Sequence, residues 1–107
     1  MEYVFLAFEK FDLTGKTALI TGAAGLMGKE HAIALLESGA KVILTDIGEK
    51  ELSEAKNALL KTTQADYIDT FIMDVSKPEA VNQVATNIAN AGIRIDILVN
   101  NAAIDPK

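Results

Sequence analysis

The chain of 107 residues has no cysteine and no tryptophan, only two prolines and a single histidine. The lack of cysteine excludes disulfide bonds, a thiolate nucleophile and a zinc–thiolate site, and it fits a reducing compartment, for which we expect the cytoplasm. The lone histidine, His31, cannot form a metal site by itself, so we predict that the chain holds no metal. Any catalysis by this chain would therefore use oxygen or nitrogen groups.

Positive charge is also scarce, because ten lysine and arginine residues face fifteen aspartate and glutamate residues and give a net charge of -5. The lysines are scattered along the chain and form no basic stripe that could neutralise a phosphate backbone. Nucleic acid is therefore not an expected partner.

Long apolar runs are absent as well. The most apolar segment near the N-terminus, residues 4–8, follows Glu2 and is interrupted at once by Glu9 and Lys10, so it lacks the basic start and the length of a signal peptide. No run approaches the roughly 20 apolar residues that span a bilayer, and we expect no membrane partner. We interpret residues 1–10 as an N-terminal extension that packs on the domain or contacts a neighbouring subunit, and we favour packing.

What the sequence does have is apolar residues, which make up half of the chain and suffice for the core of one globular domain. Short apolar runs typical of buried strands occupy residues 17–21, 41–46, 67–73 and 96–100. Three amphipathic stretches lie between them, and their inward-facing residues are predicted to be Ala32, Leu35 and Leu36, then Leu52, Ala55 and Leu59, then Val81, Val84, Ala85 and Ile88. The order β-α-β-α-β-α-β requires parallel strands with right-handed crossovers. Residues 11–107 are therefore predicted to form a Rossmann-type, doubly wound α/β sheet with four strands and three crossover helices.

The third helix has a start signal in residues 76–79. We expect the Ser76 hydroxyl to accept a hydrogen bond from the Glu79 N–H, and the Glu79 carboxylate to reach back to the Ser76 N–H. Pro78 has a φ that already suits the first helical turn. This pattern predicts a capping box with Ser76 as its N-cap.

In a doubly wound sheet, ligands bind beyond the carboxyl ends of the strands, where the strand order reverses. Those ends are predicted at Gly22, Asp46, Asp74 and Asn100. The binding residues should therefore be found there.

A glycine-containing loop, residues 21–28, joins the first strand to the first helix. Gly22, Gly25 and Gly28 would permit a tight turn and a close approach of the backbone to a diphosphate, which the free N–H groups at the helix start attract. Ala24 and Met27 would contribute backbone groups to the same loop, while the Met27 side chain is expected to pack. A Walker loop is disfavoured, because five residues separate the flanking glycines and Glu30 stands where a metal-binding hydroxyl is needed.

Asp46 closes the second strand, 24 positions after Gly22 and 18 after Gly28. This spacing is close to that of the acidic residue that accepts hydrogen bonds from the adenosine ribose hydroxyls of NAD. An aspartate at a strand end is also a common helix cap. The position of Asp46 alone is equally compatible with ribose binding and with helix capping. In combination with the glycine loop, the binding interpretation is favoured.

These features together make the chain resemble the N-terminal half of the short-chain dehydrogenase/reductases, from residues 11–16 to residues 100–103. The shared marks, in order, are the Thr-Gly loop, Asp46, the Asp74-Val75 pair and the Asn-Asn-Ala segment that starts at Asn100. The resemblance implies that Asp74 and Val75 contact the adenine ring. It also implies that the Asn-Asn-Ala segment supports the strand and lines the adenosine side of the cleft, with Asn100 and Ala102 as cofactor-binding residues. Ile47, next to Asp46, is a further predicted cofactor-binding residue.

NAD is the cofactor that the resemblance and Asp46 together predict. Asp46 would face the 2'-phosphate of NADP, and neither Gly25 nor Ile47 offers a compensating positive charge. Two positions depart from the common branch of the family. The glycine spacing of the loop is that of the extended branch, which modifies nucleotide sugars, and Ala103 stands where glycine is usual.

The family's catalytic residues, a Tyr-x-x-x-Lys pair and a serine, have no counterpart here. Position 7, four after Tyr3, is Ala, and position 71, four after Tyr67, is Phe. We therefore expect no catalytic residue in this chain, which would be the cofactor-binding part of a longer oxidoreductase acting on an alcohol or carbonyl substrate, and inactive alone. The alternatives are a noncatalytic nucleotide-binding or interaction module and a part of a nucleotide-sugar epimerase or dehydratase. A Tyr-x-x-x-Lys pair encoded beyond Lys107 would favour the dehydrogenase.

The last predicted strand would lie inside the sheet of a complete family member. Residues 97–99 would then present an unpaired, apolar edge in this chain, and edges of that kind pair with other chains. We therefore expect the chain to self-associate as a homo-oligomer or to aggregate. The alternative is that residues 3–6 fold back over the exposed surface and leave a monomer.

Overall fold

The computed structural model describes residues 12–63 and 67–102, and the predicted N-terminal extension lies outside these ranges. The elements are β1 (Thr17–Thr21), α1 (Leu26–Glu37), β2 (Lys41–Asp46), α2 (Glu49–Thr62), β3 (Ile68–Ile72), α3 (Pro78–Asn90) and β4 (Ile97–Asn100). The predicted order of strands and helices is confirmed. The predicted bounds of β1 and β2 are correct, and β3 and β4 are shorter than predicted.

The strands form one parallel sheet in the order β3-β2-β1-β4. The chain builds outward from β1 to β2 and β3, then returns through α3 to place β4 on the other side of β1. In the register of the sheet, Ala18 of β1 lies between Val42 of β2 and Ile97 of β4. The strand order therefore reverses between β1 and β4, which confirms the Rossmann-type fold and places the topological switch point beside the loop after β1.

Both faces of the central strands are buried, as their apolar composition predicts. Ile20 and Leu44 belong to the core cluster that α1 and α2 cover, together with Leu35. Leu19 and Ile43 point to the other face and pack with Val84 of α3. Burial of one such side chain stabilises the fold by about 1.5–3 kcal/mol, so the sheet centre is the rigid support of its carboxyl edge.

The start of α3 differs from the prediction. Lys77 is the N-cap and makes no side-chain capping bond, so the predicted capping box is wrong. The Ser76 hydroxyl instead donates to Asp74 Oδ1 at 2.6 Å, and the Ser76 N–H donates to the same oxygen at 2.9 Å. The Asp74 carboxylate, two residues upstream, therefore engages both groups of Ser76 in a local turn, and it replaces the Glu79 carboxylate as the acceptor of the Ser76 N–H.

The inward stripe of α3 is also narrower than predicted. Val84 and Ile88 are buried and Val81 is half-buried, whereas Ala85 is exposed. Ala85 lies on the flank of α3 that points along the sheet towards β4, where the structure has an apolar groove. The helical period located the apolar stripe of α3 correctly. It could not show that the core covers the stripe at Val84 and Ile88 but not at Ala85.

Candidate functional site

The predicted binding residues do come together at the carboxyl edge of the sheet, beginning with the loop after β1. Gly22 has a φ of +61°, in the left-handed region. A Cβ atom on Gly22 would lie 2.8 Å from the Cα of Ala102, which follows β4. Any larger residue here would therefore separate the glycine loop from the segment after β4.

Gly28 and Gly25 serve different purposes. A Cβ atom on Gly28 would lie 2.6 Å from the Cα of Ala23 and 2.7 Å from the carbonyl oxygen of Gly22, so α1 sits directly on the loop backbone. At Gly25 the nearest atom, also the Gly22 oxygen, would be 3.6 Å away, which is an ordinary contact. Packing within this chain therefore requires glycine at position 28, whereas the open space beside Gly25 is available to a ligand.

The first turn of α1 fits an anion. Gly25 is the N-cap without a side-chain capping bond, and the turn contains no acidic residue. The first helical bond runs from the Lys29 N–H to the Gly25 carbonyl, so the N–H groups of residues 26–28 precede it. These N–H groups and the positive end of the helix dipole can hold a diphosphate.

The side chains that open this helix are turned outward. Leu26 is 73% exposed and Met27 is 45% exposed. More than half of the surface of Met27 is therefore covered, and the expectation that its side chain packs is met in part within the described residues. Met27 contributes a backbone N–H and a partly exposed apolar surface to the first turn of α1.

Asp46 connects the end of β2 to the glycine loop. Its Oδ2 accepts a hydrogen bond from the Ala24 N–H at 3.0 Å, and its Oδ1 accepts one from the Ile47 N–H at 2.8 Å. Asp46 is not a helix cap, because the N-cap of α2 is Gly48 and makes no side-chain capping bond. Each carboxylate oxygen has a second acceptor site, so Asp46 can position the loop and still accept hydrogen bonds from hydroxyl groups.

Ile47 follows Asp46 and is 67% exposed. An apolar side chain presented beside a carboxylate at the edge of the sheet offers a flat surface to a ring. It adds no positive charge to the site.

The segment after β3 supplies the next part of the edge. It is joined to β2 by a hydrogen bond of 2.8 Å from the Met73 N–H to the Asp46 carbonyl. The hydroxyl and then the N–H of Ser76 lower the pKa of Asp74, so its carboxylate is ionised at neutral pH. Val75 is half-buried and its side chain lines the apolar groove on the α3 face, which leaves its backbone to contribute to the edge.

The ends of β1 and β4 are joined by the hydroxyl of Thr21, a buried residue. This hydroxyl donates to Asn100 Oδ1 at 3.1 Å and accepts from the N–H groups of Asn101 at 3.0 Å and Ala102 at 3.1 Å. The Asn101 side-chain amide donates to the Gly22 carbonyl at 3.2 Å. Thr21 and Asn101 therefore set the position of the loop relative to β4, and neither was among the predicted binding residues.

Among the described residues, no tyrosine lies at this edge. Tyr67 lies at the opposite, amino edge of the sheet, with its hydroxyl 3.3 Å from Asp69 Oδ2 and the Lys41 Nζ 5.6 Å from its ring centroid. Burial, and then the negative charge of Asp69, raise the pKa of Tyr67. A tyrosine that acts as a general base needs a lowered pKa, so Tyr67 is not suited to that role.

Two other classes of function can be examined in residues 12–63 and 67–102. No three side chains of His, Asp or Glu there are grouped so that they could hold a metal ion. None of the helices in those ranges has the length and apolar character needed to cross a bilayer.

Comparison with known proteins agrees with this geometry. The family model for short chain dehydrogenases matches residues 16–107. A short chain dehydrogenase/reductase of Macrophomina phaseolina is 42% identical over 96 residues, which cover 90% of this chain and 54% of the relative. The chain spans between 33% and 54% of the length of this and two similar fungal relatives.

Solved structures of the same fold contain both forms of the nicotinamide cofactor. The N-domain of a bacterial malonyl-CoA reductase, solved with NADP, matches with a TM-score of 0.78 and 38% identity over 88% of this chain and 18% of that one. An NAD+-bound xylitol dehydrogenase matches with a TM-score of 0.74 and 31% identity over 86% of this chain and 35% of that one. A nicotinamide dinucleotide is therefore the class of cofactor bound in both of these similar structures.

Proposed function

Because the chain belongs to the short-chain dehydrogenase/reductase family, we propose that it is the NAD-binding part of an oxidoreductase. The observation that carries the proposal is the joint position of three features at one edge: the tight loop at Gly22, the uncapped start of α1, and the Asp46 carboxylate bonded to the loop at Ala24. The enzyme as a whole would transfer hydride between the nicotinamide and the carbon of an alcohol or carbonyl group.

Each part of this edge suits one part of NAD. The N–H groups at the start of α1 would hold the diphosphate beside Gly25 and Met27, where the protein leaves space. Asp46 would accept hydrogen bonds from the adenosine ribose. The adenine would lie against the exposed Ile47 and the backbone of Val75, next to the ionised Asp74.

The remaining predicted residues, Asn100 and Ala102, would border the cleft on the β4 side. Thr21 holds both in place through its hydroxyl. These residues bind and orient the cofactor, and the nicotinamide carries the hydride.

Asp46 supports NAD over NADP. A 2'-phosphate placed on the ribose would meet the Asp46 carboxylate, and the loop from Gly22 to Gly28 contains no lysine or arginine that could offset the repulsion. Juxtaposition of like charges in a binding site costs on the order of several kcal/mol. The preference for NAD is therefore expected to be at least tenfold, which corresponds to about 1.4 kcal/mol.

Calorimetric titration of the chain with NAD and with NADP tests this proposal. Asp46→Ser should weaken NAD and strengthen NADP, so that the two affinities converge. Asp74→Asn is the matched control, because it alters the other carboxylate of the edge and should lower both affinities by the same factor. Equal binding of NAD and NADP to the unaltered chain would show that Asp46 does not contact the ribose.

We also propose that the chain is inactive by itself and acts in the cytoplasm. The inactivity is supported by Tyr67, which lies at the wrong edge of the sheet with a raised pKa. NAD-dependent oxidation of any alcohol by the purified chain, at a rate that follows protein concentration, would contradict it. If a longer reading frame contains no Tyr-x-x-x-Lys pair and NAD still binds, the noncatalytic nucleotide-binding module is the better description.

A further inference from the structure

Two helices begin beside the proposed cofactor site, α1 after β1 and α2 after β2, and their first turns differ in charge. Each has a glycine as its N-cap, Gly25 or Gly48, without a side-chain capping bond. The first turn of α1 contains no acidic residue, whereas that of α2 contains Glu49 and Glu51. The start of α1 therefore attracts a phosphate group, and acidic side chains oppose that attraction at the start of α2.

The Glu51 side chain folds back onto the residue that opens α2. A Cβ atom on Gly48 would overlap the Glu51 carboxylate, with its Cδ only 2.7 Å away and its Oε2 closer still. Gly48 has a φ of -102°, which any residue adopts, so its backbone conformation does not require glycine. The missing side chain at position 48 leaves the space that the Glu51 carboxylate occupies.

This carboxylate lies near the ribose end of the proposed site. Gly48 follows Asp46 and Ile47, to which the adenosine is assigned. The first helical bond of α2 runs from the Leu52 N–H to the Gly48 carbonyl, so the N–H groups of residues 49–51 precede it. Without an acidic side chain beside them, these N–H groups and the positive end of the helix dipole would favour a 2'-phosphate.

We infer that Glu51 is a second specificity-determining residue of the NAD site, an inference that rests on the proposed function. Its carboxylate offsets the positive end of α2 and adds a negative charge on the side from which a 2'-phosphate would approach. The ribose hydroxyls of NAD carry no charge, so this carboxylate does not repel them. Lys50, the one cation of this turn, is exposed and forms no ion pair with any described residue. Asp46 therefore selects for hydroxyls, and Glu51 weakens the neighbouring group that would hold a phosphate.

Calorimetric titration of the whole chain with NAD and with NADP tests this inference in variants of α2. Glu51→Gln removes one charge at nearly constant shape, so NADP affinity should rise about threefold or more while NAD affinity stays within about twofold. Glu54→Gln is the matched control, because it changes the net charge equally at an exposed position about 4.5 Å further along the helix. It should leave both affinities within about twofold. Circular dichroism verifies that each variant is folded.

Gly48→Ala separates the position of the Glu51 carboxylate from the net charge of the chain. The added methyl group would displace the flexible Glu51 side chain, so NADP affinity should rise although no charge is removed. High salt provides a further readout, because screening of exposed charges should reduce the NADP gain of Glu51→Gln. A purely structural role of Glu51 would change the affinities for NAD and NADP together.

Four outcomes would overturn the inference and leave the proposed NAD site intact. They are an unchanged NADP affinity in Glu51→Gln, an equal gain in Glu54→Gln, no gain in Gly48→Ala, and a gain in Glu51→Gln that salt does not reduce. The site itself is tested separately, by NAD binding to the unaltered chain and by Asp46→Ser. A chain that binds neither dinucleotide would contradict the proposed function and this inference with it.

Discussion

Replacement of Gly28 and of Gly25 by alanine should separate folding from binding. At Gly28 the new methyl group would lie 2.6 Å from the Cα of Ala23 and 2.7 Å from the Gly22 oxygen. Both are backbone atoms, so no side-chain rotation relieves the contact and α1 must move away from the loop. Alanine favours a helix over glycine by about 1 kcal/mol, but overpacking of this kind costs about 1–3 kcal/mol or more. Because both contacts are with backbone atoms, the cost should lie at the upper end of this range, and we expect Gly28→Ala to lower the free energy of unfolding by about 2 kcal/mol.

Gly25→Ala should leave the stability nearly unchanged and weaken the binding of NAD. Gly25 has a φ of -76°, which any residue adopts, and its nearest neighbour would be 3.6 Å from the added methyl group. The free energy of unfolding should therefore change by less than about 1 kcal/mol, because a lost N-cap preference is offset by reduced freedom in the unfolded chain. The methyl group would occupy the space proposed for the diphosphate, so NAD affinity should fall on the order of tenfold.

Urea unfolding followed by circular dichroism, and calorimetric titration with NAD, measure the two effects on the same samples. The reasoning is refuted if Gly28→Ala is as stable as the unaltered chain, because the close packing of α1 on the loop would then be incorrect. It is equally refuted if Gly25→Ala binds NAD as tightly as the unaltered chain does.

Two further changes test the contacts that hold the edge together. Thr21→Val should lower the free energy of unfolding by about 1–3 kcal/mol, because the N–H groups of Asn101 and Ala102 lose their acceptor. Thr21→Ser keeps the hydroxyl and should retain most of the stability of the unaltered chain. Urea unfolding of both variants measures the difference. Ser76→Ala should raise the pKa of Asp74 towards the ordinary carboxyl range, which an NMR titration of the side chain measures. Since the folded-state pKa of Asp74 is depressed, its contribution to stability is present above the ordinary carboxyl pKa and is lost as the pH falls through the depressed value, and Ser76→Ala should reduce that pH dependence.

Two kinds of element could be predicted from the sequence: strands that are apolar on both faces, and helices whose buried residues repeat with the helical period. β1 and β2 are continuous apolar runs, and Leu52, Ala55 and Leu59 of α2 repeat with the helical period and are all buried. The carboxyl ends of β1 and β2 followed directly, which is why Gly22 and Asp46 were found.

The incorrect predictions depend on neighbours that a local sequence pattern does not include. The capping box at Ser76 failed because the Asp74 carboxylate binds both polar groups of that serine. The helical period of α3 could not reveal that Ala85 borders a groove and not the core.

The role of Thr21 could not be predicted for a different reason. Its hydroxyl binds the N–H of a residue 80 positions away, and only the pairing of β1 with β4 brings the two together. A threonine before a glycine loop has no local feature that distinguishes it from an ordinary strand residue. Asn101 belongs to the predicted Asn-Asn-Ala segment, but its bond to Gly22 across the same gap could not be predicted for the same reason.

The central claim, that the carboxyl edge of the sheet binds NAD, is tested most directly by an NMR titration of the labelled chain with NAD. The account predicts saturable shifts of the backbone amides of Gly25, Met27, Ile47 and Val75, while the amide of Arg94, at the amino edge, stays unchanged. Shifts that are absent at saturating NAD, or that are centred on the amino edge, would contradict it.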